Sequence, residues 1–128
     1  MSDLPAFFKN FCADDDTNGP SFIIRALEDY NETENISCED IAKTFINYVP
    51  DGHGFLWWGP YGVSSENTAF RNLKSGVPAP RSGSAEQNGI MMAEQVGGQI
   101  FIDPWGMVAP SNPILAAKLA EKAASVTH

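Results

Sequence analysis

Residues that start and stop α-helices punctuate this chain at regular distances, and no alternating strand pattern of comparable length occurs anywhere in it. Asn112 followed by Pro113 is the clearest start: a capping side chain, then a proline at the first helical position, where its missing N–H is no loss. The helix that follows carries Leu115, Leu119, Lys122 and Val126 on one stripe, with Ala116, Ala120 and Ala123 beside it. Ser37-Cys38-Glu39-Asp40 is close to a capping box. It opens a helix from Cys38 to Tyr48 that stacks Ile41, Phe45 and Val49 and stops at Pro50. Ser64 or Ser65 caps a further helix through Lys74, closed by Gly76 and Pro78. Ser84-Ala85-Glu86-Gln87 repeats the capping-box pattern and starts a helix expected to run to about Ile102, with Ile90, Ala93, Gly97 and Ile100 along one side. Pro104 is expected to end it, leaving a turn from Trp105 to Ser111. Upstream, Pro20 to Tyr30 reads as a helix with Ile23, Leu27 and Tyr30 on one face. The expected class is all-α, about five helices joined by long loops, in one domain of 128 residues.

Two stretches resist that regularity. Asp51 to Val63 is glycine-rich and aromatic, with His53, Phe55, Trp57, Trp58 and Tyr61, and a loop of that length is functional or wrapped over a core. Gly97-Gly98 lies inside an expected helix, where each glycine costs about 1 kcal/mol against alanine. Such a pair marks close backbone approach by a neighbouring helix or a ligand. Met91 and Met92 read as core filler.

Asp14-Asp15-Asp16-Thr17 is the one place where three carboxylates stand side by side, in a chain whose formal charge is already -8. Self-repulsion of that kind is relieved by water, if the run is an exposed helix start, or by a hard cation, if the run is a metal site. Mg²⁺ takes oxygen ligands, commonly one or two carboxylates with waters and substrate oxygens. The acidic balance argues against bulk attraction to nucleic acid or to an anionic membrane. No apolar stretch approaches the roughly 20 residues that span a bilayer. The first residues lack the pattern of a signal peptide, and Cys12 and Cys38 are expected to stay reduced, which together point to a cytoplasmic protein.

Taken together, ADDDTN before a helix, ISCEDIAKTFINYVP, WWGPYGVSSENTAFRNLKSGVPAPRSGSAEQNG, GGQIFIDPWGMVAPSNP and LAAKLAEKAASVTH resemble, in this order, the ADP-ribosylglycohydrolase family. The resemblance covers about Cys12 to His128. It implies a place in an orthogonal helical bundle that binds two Mg²⁺ (Mn²⁺ in some members) and hydrolyses the glycosidic bond between ADP-ribose and a protein side chain or other acceptor. It implies that Asp14, Asp15 and Asp16 are metal ligands, with Asp15 and Asp16 catalytic. It further implies that Gly98 and Gln99, in the family's glycine-containing loop, and His128, in its Ser/Thr-His segment, contact substrate.

Departures from the family are equally definite. Relatives are about twice as long and carry a second Asp-x-Asp-Thr metal motif downstream; none follows here. Phe101 stands where many relatives have an arginine. The chain is therefore expected to be part of such an enzyme, with an incomplete metal site, weak metal affinity, little or no turnover alone, and a tendency to self-associate through exposed helix faces. A second reading, from a different class, is a non-catalytic helical interaction module using the aromatic loop 51–63. A third, an isoprenoid-diphosphate enzyme reading Asp14-Asp15-x-x-Asn18 as its aspartate-rich motif, lacks both the second motif and the long apolar bundle.

Overall fold

A computed structural model describes residues 15–31, 34–49 and 63–128, and every element among them is helical. In chain order these are α1 (Asp15–Tyr30), α2 (Cys38–Tyr48), α3 (Ser65–Lys74), α4 (Ala85–Asn88), α5 (Ile90–Ala93), α6 (Gly97–Ile100), α7 (Asp103–Val108) and α8 (Pro113–Ala124). The aromatic stretch 51–62 lies outside the described residues, as does Cys12. No helix among the described residues is long and apolar enough to cross a membrane.

Helix α2 forms where the sequence places it, and its start shows why. Asp40 N–H donates to Ser37 Oγ at 3.1 Å, while Ser37 N–H and Oγ–H donate to Asp40 Oδ2 at 3.3 and 2.7 Å. The Ser37 hydrogen bond is the main reason the Asp40 carboxyl lies below its ordinary 3.8. Ile41, Phe45 and Val49 are buried as a stack, and Phe45 meets Phe70 of α3 edge-on at 5.8 Å between ring centres. Helix α3 takes Ser64 as its cap, with Asn67 N–H donating to Ser64 Oγ. Helix α8 takes Asn112, whose Oδ1 accepts from Leu115 N–H at 3.1 Å.

Three expectations fail, each for a local reason. Helix α1 starts five residues before Pro20, with the acids in its first turn, where unpaired N–H groups and the helix dipole favour negative charge. Pro20 is thus interior to the helix rather than in its first turn, at the cost of one backbone hydrogen bond. The helix expected from Ala85 to Ile102 is divided into α4, α5 and α6; the first break falls at Gly89, which takes φ +82°, outside the right-handed helical region. Pro104 begins α7 instead of ending a helix, since proline fits the first turn of a new helix as readily as it stops an old one. Trp105, expected in a turn, is a fully buried residue of α7.

Burial redistributes accordingly. Met91, expected as core filler, is 87% exposed and Ile90 63%, while half-buried Met92 accepts a bond from the Thr68 hydroxyl through its sulfur at 3.6 Å. The core gathers Ala26, Ile36, Ile41, Phe45, Phe70, Phe101, Trp105, Leu119 and Val126. Phe101 lies against α1 at Gly19, where a Cβ would meet the Phe101 ring. Outside the core, Arg25 Nε donates to Asp29 Oδ1 and to Tyr48 Oη, and its guanidinium covers the Tyr48 ring at 5.3 Å, tying α1 to α2 across an exposed surface. Exposed pairs of this kind are worth little to stability.

Phe45→Ala is expected to lower unfolding stability by about 3–5 kcal/mol, and Ser37→Ala by about 1 kcal/mol. Urea denaturation of both variants checks the difference in scale; equal losses would mean that Phe45 is not in the packed core.

Candidate functional site

The glycine pair of α6 sits at a crowded junction. Glu66 and Ser65, at the start of α3, reach it from one side: a Cβ on Gly97 would collide with the Glu66 carboxylate and stand 2.9 Å from Ser65 Oγ. His128 reaches it from the other: a Cβ on Gly98 would stand 2.8 Å from His128 Nδ1. Only hydrogen fits at either place, which is the reason two costly glycines stand in a helix. The close approach expected of this pair is made by α3 and by the turn that follows α8.

His128 is fixed through both ring nitrogens. Gly98 N–H donates to Nε2 at 3.1 Å, so that nitrogen carries its lone pair. The ring proton therefore sits on Nδ1 and is donated to Thr127 Oγ1 at 2.7 Å, and the Thr127 hydroxyl donates to the Ala124 carbonyl at 3.4 Å. Burial holds His128 below its ordinary 6.5, against the opposing pull of Glu66 and of the Gln95 and Ala124 carbonyls. The imidazole is accordingly the neutral form near neutral pH.

The surrounding segments lock this arrangement. Ser65 N–H donates to Gln95 Oε1 at 3.1 Å, linking the start of α3 to the residue two before Gly97. Ser82 Oγ–H donates to the Val126 carbonyl at 2.7 Å. Asn72 and Asn88 side-chain amides both donate to the Ser82 carbonyl at 2.8 Å, anchoring that loop against the C-terminal turn. Glu66 is only 7% exposed, and Ser65 Oγ is buried without a hydrogen-bond partner. Sequence reasoning missed both residues, because they resemble the ordinary first turn of a capped helix; the glycine pair was the one signal that something must face α6.

The other expected site residues divide. Gln99 is exposed and takes no part in the Glu66–Gly98–His128 junction. Asp16 is exposed in the first turn of α1; Asp14 and the side chain of Asp15 lie outside the described residues. Among the described residues no group of three His, Cys, Asp or Glu side chains could hold a metal ion. Asp16 by itself offers one carboxylate where Mg²⁺ needs an octahedron of oxygen ligands. Cys38 is a free thiol whose pKa burial pushes up. A hollow of about 140 Å³ between α2 and α3, bordered by Ala42, Ile46, Leu73 and Ala79, has an apolar lining and touches none of these residues.

Gly98→Ala is expected to force the His128 ring away from the α6 backbone and to lower stability by about 1–3 kcal/mol, far more than Gly106→Ala, where a Cβ meets open space. Denaturant titration of the two variants checks this; equal effects would remove close packing as the reason for the glycine. Comparison of the chain with protein-family models, with curated proteins and with solved structures returned no match.

Proposed function

We propose that this chain forms part of an ADP-ribose-handling hydrolase of the ADP-ribosylglycohydrolase type, supplying one wall of the ligand site and part of its cation ligands. The observation that carries this reading is that α6 is a common neighbour of α1, which begins at the acidic run, and of α8, which leads into His128. Segments far apart in the chain thus meet at α6. Gly97 and Gly98 are buried in that element, with the Glu66 carboxylate packed against the first and the neutral His128 ring against the second.

Asp14, Asp15 and Asp16 are the residues that would hold a divalent cation, and such a cation would supply Lewis-acid polarisation to a bound sugar nucleotide. The chain's own residues do less: they put Asp15 and Asp16 in the first turn of α1 and hold an imidazole in a defined tautomer. That set binds and orients; it does not complete a reaction.

A second reading, a non-catalytic interaction module, draws on a different observation. Val63, Ile90, Met91, Val96, Met107 and Ile114 are all exposed apolar side chains, and surfaces of that kind serve association.

Calorimetric titration separates the two. The first reading expects ADP-ribose to bind in the presence of Mg²⁺ or Mn²⁺, affinity to fall about tenfold or more in the Asp15→Ala, Asp16→Ala double variant, and little or no release of ADP-ribose from a modified protein. No binding at millimolar ADP-ribose with metal present sinks it. Sedimentation showing self-association that depends on Trp57 or Trp58 would then favour the module.

A further inference from the structure

We infer that His128 and Glu66 form a proton-operated latch on the Gly97–Gly98 turn. In the latched state Gly98 N–H donates to His128 Nε2 at 3.1 Å. A proton arriving from solvent at Nε2 turns that acceptor into a donor, and two N–H groups then face each other across a hydrogen-bond distance. The contact opens, the Gly98 amide is released, and the imidazolium turns to the Glu66 carboxylate.

The geometry leaves few other outcomes. Nδ1 cannot take the proton instead, because it already carries one, donated to Thr127 Oγ1. The ring cannot slide toward α6, because Gly98 is already at contact distance from it. Among the described residues Glu66 is the charged side chain that acts on the ring: α6 has no ionisable side chain, Ser82–Ser84 have none, and on the ring's own element Lys122 Nζ donates to the Glu34 carbonyl, with Glu121 exposed beside it. Glu66 is only 7% exposed, and no described residue donates a hydrogen bond to its carboxylate. An imidazolium neighbour would supply one, and Ser65 Oγ, buried and without a partner among the described residues, is a donor that the same rearrangement could use.

The direction of the pH effect follows from burial. Since burial holds His128 below its ordinary 6.5, the unfolded chain takes up the proton more readily than the folded one. The latch therefore contributes its full stability above pH 6.5, and that contribution declines as pH falls below 6.5 toward the folded-state value. The inference needs no ligand and stands or falls independently of the proposed ADP-ribose site.

NMR titration of the full chain tests it directly, with His53→Gln used to assign the two histidine rings. His128 is expected to titrate below 6.5, and the Gly98 amide resonance is expected to move with the same midpoint and lose protection from hydrogen exchange on the acid side. Glu66→Gln, which removes the charge and keeps the shape, is expected to lower that midpoint by about half a pH unit or more. A Gly98 amide that stays constant while His128 titrates overturns the latch. An unchanged or raised midpoint in Glu66→Gln overturns the role of Glu66. Should that variant fail to fold, the wild-type Gly98 titration still decides the first point, and Glu66→Asp, which retains the charge on a shorter arm, decides the second by whether the midpoint moves.

Discussion

The hydrogen bond from Gly98 to His128 is the contact on which the second half of the molecule is arranged. It joins a short helix in the middle of the chain to the turn that follows the last one, and it exists only because Gly97 and Gly98 have no side chains. With any larger residue there, α3 and the C-terminal turn could not both reach α6. The Ser82 bond to Val126 and the Asn72–Asn88 grip on the Ser82 carbonyl then act as supports. They hold the loop that backs the C-terminal turn, so that His128 is presented at a set distance and in one tautomer.

That contact also explains why the polar groups at the junction are where they are. The start of a helix accommodates a carboxylate, so Glu66 can be nearly buried at the second position of α3. Burial costs the protonated form of a histidine as well as the ionised form of an acid, so a neutral ring beside a carboxylate is a compromise that one proton can reverse. The two effects meet in a space of a few residues. The apolar core, by contrast, has no such tension: Phe45, Phe70, Phe101 and Trp105 fill it by shape, and among the described residues the Trp105 indole N–H and the Thr44 hydroxyl are left without partners there.

The elements easiest to read from sequence were those whose ends are set by their own residues. Helices α2, α3 and α8 begin at Ser37, Ser64 and Asn112 because a side chain one to three residues away satisfies an N–H that would otherwise be bare. The region from Ala85 to Val108 was read less well. Its apolar spacing continues across Gly89 and Gly97-Gly98, so periodicity predicts one helix, but periodicity does not report a glycine at positive φ. Pro104 was ambiguous for a similar reason, being equally suited to follow one helix or to open the next.

What the amino-acid order determined by itself was therefore local: an all-helical chain, the three capped helices, the stack on α2, and the need for something to press against two adjacent glycines. Tertiary structure alone decided what that something is. Glu66 and His128 are remote in sequence from Gly97 and from each other, and nothing in their neighbours distinguishes them from a capping acid and a trailing histidine. Their meeting depends on how α3, α6 and α8 pack, and packing is set by the sum of many buried contacts rather than by any short pattern of residues.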